Sequence, residues 1–241
     1  VVADRGPVLG RMSEHSDVAA TLTRMGIDVG RAVVVVIGGA GGMSDDAADG
    51  LTDVVRDGVL PAVERHGATV IDGGTDSGVM RLIGRARAAA GATFLLVGVA
   101  AEGTVTVPGG QAAQDDAAAL EPHHTHVILV PGTQWGDESS WIAKVAGAVA
   151  GGEPSVTVLV NGGPIAFDDA TRSVADGRSL LVVAGSGRAA DAIADARTSG
   201  GGERNAVTIA ASPFTEIVAL DDPAAVAAAV SGALERQEAG R

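Results

Sequence analysis

Six apolar, largely β-branched runs end abruptly in glycine-rich turns: VVVVIGGAGGM (33–43), TVIDGGTDSGVM (69–80), FLLVGVAAEGTV (94–105), HVILVPGTQWG (126–136), VTVLVNGGP (156–164) and SLLVVAGSGR (179–188). A strand that is apolar at every position is covered on both faces, the mark of a parallel sheet sandwiched between helices. Glycine just past such a strand permits a tight turn and lets backbone N–H groups approach a ligand. In open α/β sheets, ligands bind beyond the carboxyl ends of the strands. The six turns are therefore where a site is expected, and their chemistry suits anionic groups such as phosphates.

Helical spacing fills the intervals. Ser44 with Asp45 and Asp46 makes a capped, acidic helix start, followed by Leu51, Val54, Val55 and Val59 on one face. Pro61 is expected to kink or restart that helix before a strand at 68–72. Met80 and Ile83 place a helix after GGTDSG, and Trp141, Val145 and Val149 place another after PGTQWG, with Trp141 in the core. A last helix opens at Asp222–Pro223, with Val226, Val230 and Leu234 on one face. The predicted fold is α/β: a Rossmann-like, doubly wound, mainly parallel sheet of six or seven strands, helices on both faces and right-handed crossovers. Residues 1–31 lack the alternation and read as an N-terminal extension packed on a single domain spanning 32–241. Residues 198–205 read as a flexible loop. The polar stretch 101–122 reads equally as a lid over the ligand edge and as a solvated insertion.

Composition narrows the function. At 241 residues the chain suits one large domain. A net charge of −13 disfavours nucleic acid as a partner, because phosphate backbones recruit basic surfaces. The absence of Cys removes disulfides, thiolate metal sites and a cysteine nucleophile. No apolar stretch approaches the roughly 20 residues of a membrane span, and no signal peptide is visible, so a cytoplasmic protein without membrane partners is expected.

No single motif decides the chemistry. GGAGG (38–42) lacks the G-x-G-x-x-G spacing, and no G-x-x-x-x-G-K-[ST] occurs. A set of segments in order is more specific: GGTDSGVM (73–80), VGVAAEGTV (97–105), PHHTHVILV (122–130), WGDE (135–138), LVNGGP (159–164) and VAGSGRAADAIA (183–194). Together, over about residues 32–197, they resemble the SLOG domain at the cytosolic N-terminus of TRPM (melastatin-type) channels, in its free-standing prokaryotic form. The SLOG superfamily also takes in the LOG-type phosphoribohydrolases and the Smf/DprA proteins. The resemblance implies a Rossmann-like fold that binds nucleotide-derived ligands, ADP-ribose and its cyclic relatives foremost, with no obligatory cofactor. By resemblance alone, a homodimer is the expected assembly.

Carried onto this chain, the resemblance makes Gly73, Gly74, Thr75, Asp76, Ser77 and Gly78 a wrap for a phosphate or ribose. Gly39 and Gly41 of the first turn, Gly132, Thr133 and Gly136 of the fourth, Gly162 and Gly163 of the fifth, and Gly185, Ser186 and Gly187 of the last join them as ligand-binding candidates. It sets Trp135 beside the ligand, with Glu138 a further ligand-binding candidate, Lys144 on, or next to, a basic ligand-contacting position, and Arg188 at the arginine after the last strand. An arginine at a helix N-terminus adds a forked donor where the dipole already favours anions. Structural alternatives stand beside these roles. Arg188 could pair with Asp191. Trp135 stacks on a base or packs a lid. Thr75, Asp76 and Ser77 could serve only as helix caps. Asp72 either binds a ribose hydroxyl or fixes a turn. His123, His124 and His126 enter a strand with no adjoining carboxylate cluster, and alternation sets His124 and His126 on one face. They are read as structural, and no metal is expected.

LOG-type enzymes carry P-G-G-x-G-T-x-x-E with an upstream Arg–Lys pair; the glutamate and arginine act at the ribose while the glycines hold the phosphate. PGTQWGDESS (131–140) has Thr133 for the second glycine and serine where the glutamate belongs, Ser139 counted from Pro131 or Ser140 counted four residues on from Gly136, and HHTH replaces the basic pair. Without that constellation, the general acid–base help that N-glycosidic cleavage requires is missing. The expectation is a ligand sensor. The alternative is a nucleotide-processing hydrolase with Glu138 as its carboxylate.

Overall fold

A computed structural model describes residues 6–39, 45–112 and 114–236, with residues 45–48 and 236 described by backbone alone. The strands are β1 (Val8–Arg11), β2 (Val33–Gly38), β3 (Thr69–Asp72), β4 (Leu96–Ala101), β5 (Val105–Thr106), β6 (Ala118–Ala119), β7 (His126–Val130), β8 (Ser155–Val160), β9 (Ser179–Ala184) and β10 (Thr215–Ala219). The helices are α1 (Val18–Arg24), α2 (Asp45–Asp53), α3 (Leu60–His66), α4 (Gly78–Ala90), α5 (Ser139–Ala150), α6 (Pro164–Ala175), α7 (Arg188–Ser199), α8 (Arg204–Ala211) and α9 (Pro223–Arg236). A π-helical stretch, Val54–Val59, joins α2 to α3, and Pro61 sits in the first turn of α3.

Eight strands form one sheet in the order β1-β7-β4-β3-β2-β8-β9-β10, every pairing parallel. β5 and β6 pair separately within 101–122. The apolar runs behave as their pattern requires. On β2, Val33, Val35 and Ile37 join a cluster with Trp141, Val145 and Phe167, while Val34 and Val36 join Leu51, Ile83 and Val226 on the other face. α1 and α5–α8 cover the first face; α2–α4 and α9 cover the second. Asp222 accepts the Ala225 N–H at 2.9 Å and caps α9. Ser44 lies outside the described residues, as do the side chains of Asp45 and Asp46.

The sheet has eight strands, not six or seven. β1 and β10 are short edge strands with mostly exposed or half-buried residues, so neither shows a continuous apolar run. The segment read as an N-terminal extension packed on the domain supplies β1, paired with β7, and α1, capped by Asp17. Nor is 198–205 one loop: Thr198 and Ser199 finish α7 and Arg204 starts α8. From β2 the chain moves outward through β3, β4 and β7 on one side, and through β8, β9 and β10 on the other. The strand order therefore reverses between β2 and β8, which creates a crevice at their carboxyl ends.

Candidate functional site

That crevice opens into a cleft of about 510 Å³, within the roughly 300–1,000 Å³ of small-molecule sites. All six glycine-rich turns reach it: Gly38 at the end of β2 and Gly39 beyond it, Gly73, Thr75, Ser77 and Gly78 after β3, Ala100 and Thr104 at the end of β4, Trp135 and Glu138 after β7, Gly163 and Pro164 after β8, and Arg188 after β9. The backbone explains two of the glycines. Gly38 has φ +132° and faces the Val160 carbonyl so closely that no Cβ fits. Gly74 has φ +67°, and a Cβ there would lie 2.9 Å from Gly98 Cα, so β3 and β4 approach backbone to backbone.

Nine of the expected ligand residues therefore line one cleft: Gly39, Gly73, Thr75, Ser77, Gly78, Trp135, Glu138, Gly163 and Arg188. Others shape its turns and do not line it. Asp76 pairs with Arg81, Nε to Oδ1 2.7 Å. Gly132 and Thr133 belong to a turn closed by Asp137, whose Oδ2 accepts the Thr133 and Gln134 N–H groups, and Gly136 packs on Ile165. Gly162 packs on Ala166, and Gly185 donates to Asp191 Oδ1 at 2.6 Å. Ser186 is buried; it donates to the Val183 carbonyl and accepts the Asn161 N–H at 2.8 Å, which ties the ends of β8 and β9 together. Gly187 packs on the Asn161 side chain. Lys144 is not brought to the cleft, because its position midway along α5 puts Nζ 4.4 Å from the Trp141 ring centre. Gly41 lies outside the described residues.

Arg188 opens α7, and its guanidinium lies over Gly163, where a Cβ would sit 3.0 Å from Nη2. Among the described residues two non-glycine residues have positive φ, Asn161 at +53° and Arg188 at +48°, and they sit at neighbouring strand ends. Such backbone strain concentrates at functional sites. Both polar atoms of the Asn161 amide are also buried without partners. Trp135 is 38% exposed and donates Nε1–H to Asp116 Oδ2 at 3.0 Å, which links it to the 101–122 stretch.

Two carboxylates share the cleft wall. Glu138 accepts the Gly136 N–H at 3.0 Å, and burial raises its proton affinity. Asp169, on α6, is raised from 3.8 to about 6, by burial first and then by the neighbouring Glu138 charge; its Oδ1 has no hydrogen-bond partner. Asp169 escaped the sequence analysis, yet a signal for it exists. The pattern P-G-G-x-G-T-x-x-E, laid on Asn161 instead of Pro131, keeps Gly162 and Gly163 and sets Asp169 where the glutamate belongs. The departures there are Asn161 for proline, and Ile165–Ala166 for Gly-Thr. Thr104 and the apolar wall of Met80, Ile142 and Ile165 carried no comparable signal.

The expectation that no carboxylate cluster adjoins the histidines fails. His124 lies between Asp72 and Glu121, and Glu121 also binds His123. His126 faces α1, with Nε2 3.1 Å from the Met25 carbonyl, and burial lowers its proton affinity. Asp72 fixes a turn: its Oδ1 accepts the Gly74 N–H at 2.7 Å. No set of three or more His, Asp or Glu among the described residues is arranged to hold a metal ion.

The profile of the family described as "SLOG in TRPM, prokaryote" matches residues 31–228. The chain belongs to that family. It is 29% identical over 208 residues to transient receptor potential cation channel subfamily M member 2 of Mus musculus, which covers 72% of this chain and 14% of the channel. Against the member-like 2 protein of Nematostella vectensis it is 28% identical over 235 residues, covering 78% of this chain and 15% of that protein. This SLOG-family chain thus spans about one-seventh of those relatives' length. No helix among its described residues is long and apolar enough to cross a membrane. An X-ray structure from a structural-genomics consortium aligns with a TM-score of 0.49 at 20% identity, over 78% of this chain and 91% of that one.

Proposed function

We propose that this SLOG domain binds a nucleotide-derived small molecule, ADP-ribose, cyclic ADP-ribose or a relative, at the carboxyl edge of its sheet and acts as a cytoplasmic ligand sensor. The observation that carries the reading is Arg188, which lies at the N-terminus of α7 over Gly163 in the cleft where six turns converge. There a forked cation adds to the helix dipole, the combination that favours phosphate. Trp135 at the rim offers a face for a base, and the carboxylates offer acceptors for sugar hydroxyls. A thermal-shift screen tests the reading. At a hundred times its dissociation constant, the correct nucleotide adds about 2.7 kcal/mol of apparent stability, while free sugars and amino acids add none. A flat response to all phosphate-bearing nucleotides would contradict it.

A second reading, hydrolysis of the bound nucleotide, is favoured by one observation: Glu138 and Asp169 line the same cleft, both with raised proton affinity. Such a pair fits general acid–base work near neutral pH. Mass spectrometry of AMP and ADP-ribose incubations decides it. Release of free base that is lost in both Glu138→Gln and Asp169→Asn supports hydrolysis; intact nucleotide after prolonged incubation leaves the sensor.

A further inference from the structure

Beneath the cleft lies a network of ionisable groups that touches no lining surface. The His124 side chain is fully buried; Nε2 is 2.8 Å from Asp72 Oδ1 and Nδ1 is 2.8 Å from Glu121 Oε2. Both acceptors are carboxylates, so both ring nitrogens must donate, and a neutral ring has only one N–H to give. The same Asp72 oxygen takes the Gly74 N–H. The Glu121 N–H donates to the Gly74 carbonyl at 3.0 Å, the Asp76 N–H donates to the Ala119 carbonyl at 2.7 Å, and Thr75 bridges Leu120. The turn after β3 is therefore held to 119–124 along its length, and its other side presents Thr75, Ser77 and Gly78 to the cleft.

The surroundings are built for this arrangement. Glu121 also accepts from His123, through the backbone N–H at 2.8 Å and with Nδ1 2.6 Å away. Glu121 packs so closely on Gly84 of α4 that a Cβ there would overlap its carboxylate, and the His124 ring lies 3.3 Å from where a Cβ on Gly98 would be. Arg87 of α4 reaches the His123 carbonyl and feels the Glu121 charge. Asp72 Oδ2 is buried with no partner, so this carboxylate depends on His124 and the loop N–H. Buried ion clusters are a poor source of net stability and a good one of fixed geometry.

We propose that His124 is a positioning residue: its imidazolium ties Asp72 to Glu121 and thereby holds the Gly73–Gly78 turn in the shape that the ligand meets. Burial alone would drive the proton off, but the two carboxylates outweigh it and raise His124 from 6.5 to about 9. The clamp is consequently closed at neutral pH and opens in alkali.

The inference rests on the binding reading only for its affinity arm. The test uses the full chain as wild type, His124→Gln and, in case the first variant does not fold, Asp72→Asn. In wild type at pH 7.5, imidazole ¹⁵N spectra show both His124 nitrogens protonated. In the variants, hydrogen-exchange protection at Gly74 and Asp76 falls at least tenfold, while Ala189 and Ala190, bonded to 161–162, keep theirs. ADP-ribose affinity falls at least tenfold, and wild-type affinity drops above pH 9 whereas the variants respond less. A neutral ring at pH 7.5, or unchanged protection at Gly74, overturns the proposal. Should wild type bind no ADP-ribose, the spectra and exchange still decide it, and that result counts against the binding reading alone. Lost protection with unaltered affinity also overturns it.

Discussion

Asp169→Asn should make the protein more stable, and more so as pH rises. The ordinary carboxyl near 3.8 is raised to about 6 in the folded chain, so the native state holds this proton more tightly than the unfolded state does. The penalty for ionising Asp169 is absent below 3.8, grows between 3.8 and about 6, and is complete above. At about 1.4 kcal/mol per pH unit, the interval corresponds to roughly 3 kcal/mol. That figure is a ceiling, because the residue is partly open to the cleft and solvent relaxes around it. Asparagine keeps the shape without the charge. Urea titrations of wild type and variant from pH 3.5 to 8 should give coincident curves at the acid end. At pH 7 the variant should be ahead by about 1–3 kcal/mol, a rise in Tm of roughly 2–12 °C for a chain of this size. Stability gained by removing a group from a cleft is what a site retained for function yields. A difference that is flat across pH, or a less stable variant at pH 7, would refute the reasoning.

Gly98→Ala should cost more than an ordinary core change, since its Cβ would stand 2.5 Å from Gly74 Cα and only a backbone shift relieves it; at least about 1–3 kcal/mol is expected from urea midpoints, with nucleotide affinity lost as the turn moves. Trp135→Ala should weaken ADP-ribose about tenfold and ribose 5-phosphate hardly at all, because base stacking is worth about 1–3 kcal/mol; equal losses for both would remove the stacking role.

The sheet was legible where residues are buried on both faces: Val33–Ile37 alternate between two cores and read as one apolar run. It was illegible at β1 and β10, whose exposed edges carry no such run. The turns were legible as a set because glycine punctuates each strand, but glycines that contact a ligand and glycines that merely turn the chain look alike. Gly163 lines the cleft and Gly162 beside it packs on Ala166. Lys144 was placed by resemblance alone, and the helix phase that sets its Nζ over the Trp141 ring, away from the cleft lining, could not be read from a motif. Asp169 was hidden by anchoring the LOG pattern on a proline instead of on its glycines. Of the carboxylates beside His124, Asp72 was hidden because it is 52 residues away in the chain, whereas Glu121, three residues before the histidine, was in plain view and was passed over.

Calorimetric titration of ADP-ribose into wild type and Arg188→Ala tests the central claim most directly. Arg188 is exposed and opens its helix with a strained φ of +48°, so its removal should leave the unliganded fold within about 1 kcal/mol of wild type. A charge-assisted hydrogen bond of about 1.5–3 kcal/mol should vanish with it, lowering affinity roughly ten- to a hundredfold. Arg188→Lys should restore only part, because an ammonium lacks the two-pronged geometry. Equal affinity in wild type and Arg188→Ala would contradict the account and place the ligand elsewhere.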